Sequence, residues 1–119
     1  PPEKILQGIP LYGYDWKLPQ TPEVPAIYVN LVDVYNLAAR YNATINYDTT
    51  AQSPNFRYTD EQGVQHEVWF EDARSMTAKF QTAQEFKLRG LGFWSYQNQP
   101  YGFAQMWAIL GNMFNVTKR

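Results

Sequence analysis

Few side chains in this sequence are of types that do chemistry, and their spacing narrows the choice further. Glu71 and Asp72 are adjacent carboxylates, which invites an acid/base pair. Neighbours on an extended segment point to opposite faces, however, and Asp72 stands where a helix needs an N-cap, so capping is the better reading. His66 is the only histidine. It alternates with Val64, Val68 and Phe70 and has no companion that would complete a metal-ligand motif. Cysteine is absent, which removes disulfides, thiol catalysis and cysteine-ligated zinc together. Neither a metal nor a cofactor is implied. What remains is aromatic: four Trp, nine Tyr and seven Phe, 17% of the chain. Such rings fill cores, and they also stack on the flat C–H faces of sugars. Two groups stand out. Tyr12 and Tyr14 end the run Lys4-Ile5-Leu6-Gln7-Gly8-Ile9-Pro10-Leu11-Tyr12-Gly13-Tyr14, and Trp94 closes the run Leu88-Arg89-Gly90-Leu91-Gly92-Phe93-Trp94.

The bulk numbers exclude other classes. The formal net charge is −1, from 10 basic and 11 acidic residues, and no basic run exists for nucleic acid to read. No apolar stretch approaches the ~20 residues of a membrane-spanning helix. The length of 119 residues allows one core of modest size. Lys79 and Lys87 read as solvated charges flanking a helix face. Asn42-Ala43-Thr44 and Asn115-Val116-Thr117 match the N-glycosylation pattern, which is common by chance.

The elements that must position these residues follow from periodicity. Residues 4–12 and 88–94 are short apolar runs carrying glycine and ending in an aromatic. A buried parallel strand reads so when its carboxyl end faces a ligand. Pro10 is tolerable near the end of the first, where ladder pairing stops. Pro19, Pro22 and Pro25 make 17–26 a loop. Asn30 caps a helix to about Tyr41, with Leu31, Val34, Tyr35, Ala38 and Tyr41 at helical spacing. Residues 44–48 form a short strand, and 55–60 and 64–70 a hairpin turning at Gly63. Asp72 caps a helix over about 73–87 with Met76, Phe80, Ala83 and Phe86 lining one face. A polar loop at 95–100 leads to a final helix at about 102–113.

Taken in this order, four segments resemble family 18 glycoside hydrolases, in particular the group of bacterial spore cortex and germination hydrolases. Gly8-Ile9-Pro10-Leu11-Tyr12-Gly13-Tyr14-Asp15-Trp16 is similar to the family's seventh barrel strand and the loop after it. Tyr47-Asp48, Ala51-Gln52-Ser53-Pro54 and Phe56-Arg57-Tyr58 resemble the insertion that chitinase-like members carry between strands seven and eight. His66 to Ser75 resembles the insertion's last strand and the start of helix seven, and Leu88 to Trp94 resembles strand eight. The implied fold is α/β: the C-terminal part of a TIM (β/α)8 barrel, strands seven and eight with their helices, carrying an α+β insertion. The whole of 1–119 would then be the C-terminal fragment of a catalytic domain, with the insertion at about 17–70.

The resemblance also implies roles. Trp94 matches the tryptophan that floors the site under the reacting sugar, and Tyr12 an aromatic lining the same cleft. Tyr14 takes a position that is often arginine, and Asp15 and Trp16 would border the cleft. Gly92 stands where many members are bulkier, and Ser95 to Pro100 departs from the usual exit of strand eight. In this family the substrate's N-acetyl carbonyl attacks the anomeric carbon while a carboxylic acid protonates the leaving oxygen. That acid belongs to a DxxDxDxE motif on strand four, and no such motif occurs in these residues. No catalytic residue is therefore assigned here, and the acid is expected upstream. The implied partners are a polymer containing β-1,4-linked N-acetylglucosamine, peptidoglycan or chitin, and the upstream remainder of the barrel, with LysM repeats often preceding. Export to the cell wall or spore of a Gram-positive bacterium is expected. Two strands cannot close an eight-stranded barrel, so a homodimer of the fragment would cover its open edge. The competing reading is a non-catalytic carbohydrate-binding or self-associating module on the same scaffold.

Overall fold

The computed structural model describes residues 1–94 and 104–114. The expected loop at 95–100, the first residues of the last helix and the second glycosylation pattern lie outside them. The first strand, β1 (Leu6–Pro10), follows a short 3-10 turn at Pro2–Lys4. Next come β2 (Tyr12–Lys17), β3 (Ile27–Asn30), α1 (Leu31–Arg40) and β4 (Asn46–Asp48). The hairpin is β5 (Ser53–Thr59) and β6 (Gln65–Trp69). The chain continues through α2 (Ala73–Glu85) and β7 (Gly90–Trp94) to α3 (Ala104–Met113).

The strands form two sheets. β1 and β7 pair in parallel, from Leu6 opposite Gly90 to Pro10 opposite Trp94. Pro10 sits at the last rung, where its missing N–H costs least. The other sheet is antiparallel, in the order β3-β2-β6-β5-β4. Leu11 joins the two sheets, is fully buried, and donates its N–H to the Trp94 carbonyl. The sequence reading therefore needs correction at this point. Residues 4–12 are not one strand; the chain breaks at Leu11, and Tyr12 opens a new strand in the other sheet. The sequence signals no strand between the loop at 17–26 and the cap at Asn30, yet β3 is a four-residue edge strand there.

Local signals set the helix ends. The Asn30 side chain accepts the Asp33 N–H at 3.0 Å. Asp72 accepts the Ser75 N–H at 3.0 Å while the Ser75 hydroxyl faces the Asp72 N–H at 2.9 Å, a reciprocal capping box. Both helices end in a 6→1 turn: the Ala43 N–H reaches the Ala38 carbonyl and the Leu88 N–H that of Ala83, each at 2.9 Å. The residues that take left-handed backbone there are Asn42 (φ 48°) and Lys87 (φ 53°).

One core serves both sheets. α2 packs on β1, β7 and α3, and buries Met76 and Phe80 completely beside Ile9 and Met106. α1 packs on β2 and β3 with Leu31 and Val34, and Phe56 and Val68 join the same cluster. Each such side chain stabilises the fold by roughly 1.5–3 kcal/mol relative to exposure. The antiparallel sheet thus has one face inward, and its other face carries the candidate site.

Candidate functional site

The site is built on β2. Its alternation sends Gly13 and Asp15 inward and Tyr12, Tyr14 and Trp16 to the open face. Gly13 has no room for a side chain: an added Cβ would lie 2.8 Å from the Trp69 carbonyl oxygen and 3.0 Å from Phe70 Cβ and Val34 Cγ2. β2 can approach β6 and α1 this closely only with glycine there. The register puts Tyr28 of β3 and Trp69 of β6 on either side of Tyr14, so both share its face. The rings make a continuous group: Tyr12–Tyr28 at 5.0 Å between centroids, Tyr12–Tyr14 at 5.5 Å, Tyr14–Trp16 at 6.3 Å and Tyr14–Tyr28 at 6.4 Å. Edge and tilted geometries like these fix ring orientation through their quadrupoles. Tyr14 and Tyr28 remain 41% exposed.

Trp94 ends β7 with 70% of its surface exposed, an unusual state for a tryptophan in a packed strand pair. Its backbone is anchored beside Pro10 and Leu11, immediately before Tyr12. The structure therefore brings the carboxyl end of the parallel pair to the start of the aromatic face.

Asp15 is not part of that face. It is 7% exposed and turned inward, where His66 and Tyr58 take up its carboxylate. His66 Nδ1 lies 2.7 Å from Asp15 Oδ1, and His66 Nε2 lies 2.7 Å from Asp60 Oδ2. The Tyr58 ring stacks on the imidazole at 4.5 Å and 10°, and its hydroxyl donates to Asp15 Oδ2. Burial opposes the charge on His66, but its bonds to Asp60 and Asp15 outweigh that and raise its pKa above the ordinary 6.5. The bond from His66, with the Val64 N–H, holds Asp60 below the usual carboxylate range. Burial, then the bond to Asp15, pushes Tyr58 up. The sequence reading noted the inward alternation of His66 but missed both partners. A buried imidazole must find them, and that was the available signal.

Glu71 and Asp72 do separate tasks, as adjacent positions require. Asp72 caps α2 and pairs with Arg74 at 3.0 Å, while Arg74 lies 4.2 Å over the Tyr47 ring. Glu71 is buried and pairs with Lys79 at 3.0 Å, so Lys79 is not the solvated charge expected. The Tyr35 hydroxyl donates to the Glu71 carbonyl at 3.2 Å; burial and then the Asp72 charge push it up to about 12.

The family description "Glycosyl hydrolases family 18" matches residues 1–99. The cortical fragment-lytic enzyme of Bacillus subtilis (strain 168) is 48% identical over 120 residues, covering 100% of this chain and 27% of that protein. The spore cortex-lytic enzyme SleL of Bacillus megaterium QM B1551 superposes with a TM-score of 0.87 at 48% identity, over 100% of this chain and 27% of that one. A chitinase from Chromobacterium violaceum superposes with a TM-score of 0.81 at 32% identity, over 98% of this chain and 35% of that one. The chain thus spans about a quarter of the length of the Bacillus proteins it matches. A match over most of its residues, with the parallel strand pair and the five-stranded sheet in place, shows that the chain belongs to glycosyl hydrolases family 18.

Proposed function

We propose that these residues are the C-terminal portion of a family 18 catalytic barrel that hydrolyses glycans containing β-1,4-linked N-acetylglucosamine. In this reading β1 and β7 are the barrel's seventh and eighth strands. The sheet from Tyr12 to Trp69, with α1, is the insertion between them, starting five residues before the boundary expected from sequence. The observation that carries the reading is the exposed Trp94 at the carboxyl end of a parallel pair, where barrel enzymes keep their sites, next to the aromatic face of β2.

Trp94 would lie under the reacting sugar, with Tyr12, Tyr14 and Trp16 along the neighbouring wall. Flat rings suit the C–H faces of pyranoses, and a sugar stacked there is held in orientation while its N-acetyl group attacks. Asp15 keeps a structural role. The names of the Bacillus relatives favour peptidoglycan over chitin as the polymer, and favour a spore or cell-wall setting. Among the described residues β1 and β7 have no further strand partners, and an apolar groove of about 440 Å³ lies between β7 and α3. The remaining barrel strands would cover both.

The general acid is outside these residues, so the 119-residue chain alone is expected to release no product from N-acetylglucosamine oligomers. A longer chain carrying DxxDxDxE upstream is expected to do so. Turnover by the purified 119-residue chain would overturn the barrel assignment.

A further inference from the structure

The Asp15–His66–Asp60 group has no part in the chemistry above, yet among the described residues it forms a buried, closely bonded polar cluster. The side chains of His66, Asp15 and Asp60 are 8%, 9% and 15% exposed. Each imidazole nitrogen faces a carboxylate oxygen at 2.7 Å. A neutral ring has one N–H, so it can satisfy only one of two acceptors; a doubly protonated ring satisfies both. The remaining neighbours favour the cation. Tyr58 presents its ring face at 4.5 Å, and Tyr41 of α1 stacks behind Tyr58 at 4.5 Å. Lys17, opposite His66 on β2, is exposed to solvent. Asp60 Oδ1 already accepts the Gln62 and Val64 N–H groups at 2.9 and 3.0 Å, which shapes the turn at Gly63 (φ 80°).

We propose that Asp15, His66 and Asp60 form a protonated clamp that positions β2, and with it Tyr12, Tyr14 and Trp16, and that releases β2 when His66 loses its proton. Asp15 lies between Tyr14 and Trp16, so holding its carboxylate from the inner side sets the rotation of β2 about its axis. That rotation decides how the three rings stand on the outer side. Without the proton, one nitrogen lone pair faces a carboxylate at contact distance with little water to screen it. Asp60 is fixed through two backbone amides of its own turn, whereas Asp15 on β2 keeps only the Tyr58 hydroxyl among its side-chain donors, so the contact that yields is the one to β2. Because the folded-state pKa of His66 is raised, the clamp's contribution to stability is complete below 6.5 and is lost as pH rises through the raised value. The consequence for glycan binding rests on the reading of the aromatic face given above; the clamp itself does not.

The test uses the 119-residue chain, whose single histidine gives one unambiguous pair of ring-nitrogen NMR signals. Both nitrogens are expected to remain protonated above pH 6.5. The amide signals of Tyr14, Asp15 and Trp16 should move with the same midpoint as His66, while that of Met76 in α2 does not. Asp60→Asn keeps an acceptor but removes a charge, and should lower both midpoints together by about one pH unit or more. A merely structural His66 would show no such joint displacement. Affinity for an N-acetylglucosamine oligomer should fall about 2- to 10-fold across the titration, the worth of one aromatic contact. A His66 midpoint at or below 6.5, or β2 amides indifferent to it, would overturn the clamp. Coupled midpoints with no oligomer binding at any pH would leave the clamp standing and defeat the sugar-facing role of β2 instead.

Discussion

Gly13→Ala is a demanding check on how β2 is held. The added Cβ would stand 2.8 Å from the Trp69 carbonyl oxygen and 3.0 Å from Phe70 Cβ and Val34 Cγ2. Ordinary carbon–carbon contacts lie at about 3.5–4.0 Å, so at least two of the three overlaps are ~0.5 Å or more. Two of these neighbours cannot rotate away, being a backbone oxygen and a Cβ. The third belongs to a β-branched residue that is fully buried on α1. Relief must come from parting β2 and β6 or lifting α1, and overpacking of this kind costs roughly 1–3 kcal/mol. Gly13 has no left-handed backbone, so alanine recovers about 0.4–1 kcal/mol through the unfolded chain. The net loss is about 1–2 kcal/mol, or roughly 4–8 °C in Tm at about 4 °C per kcal/mol. Thermal unfolding followed by circular dichroism reads it directly, with Gly111→Ala as the control. An added Cβ at Gly111 meets nothing within 4 Å, and alanine inside a helix should gain about 0.5–1 kcal/mol. A Gly13→Ala protein with unchanged or higher Tm would refute the close packing of β2 against β6 and α1.

Two further outcomes concern the ends of the structure's elements. Lys87→Gly should stabilise the fold by up to about 1 kcal/mol, because Lys87 holds left-handed backbone (φ 53°) at the end of α2 where glycine is unstrained; equal or lower stability in urea unfolding would contradict that turn. The free 119-residue chain should self-associate through the edges of β1 and β7 that have no strand partner among the described residues, with Leu6 60% exposed beside them. Light scattering that finds only a 13.9 kDa species at high concentration would show that the edges need no cover.

Much of this fold was legible because its signals are local. Asn30 and Asp72 announce helix starts by residue type, Gly63 marks the hairpin turn, and the alternation from Val64 to Phe70 gives the inward face of β6. The resemblance to family 18 rested on runs of neighbouring residues, and the comparisons bear it out. What escaped was set by tertiary packing. Residues 4–12 read as one apolar run, and nothing local says that Leu11 ends one sheet and Tyr12 begins another. β3 is four residues long and precedes a strong helix cap, so the cap dominates the reading. The partners of His66 lie 51 and 6 positions away, and only the closing of β2 onto β6 brings Asp15 to it. Lys79 looked like a surface charge because its helix face is legible, whereas the buried Glu71 beneath it is not. On the candidate site, Trp94, Tyr12, Tyr14 and Trp16 were named through the family resemblance, but Asp15 was named with them, and only strand β2 separates it from their face. Tyr28 and Trp69 join them only through register.

The most direct test of the proposed sugar-facing role compares Trp94→Ala with Trp107→Ala in a longer family 18 chain that carries these residues together with an upstream DxxDxDxE motif. Trp94 is 70% exposed at the carboxyl end of β7, whereas Trp107 packs against the core from α3. Hydrolysis of an N-acetylglucosamine oligomer would be measured as kcat/KM per folded molecule. Loss of a stacking platform at about 1–3 kcal/mol predicts a fall of roughly 5- to 150-fold for Trp94→Ala. Trp107→Ala should lower stability and leave kcat/KM within about twofold of wild type. Unchanged kcat/KM for folded Trp94→Ala would contradict the platform under the reacting sugar.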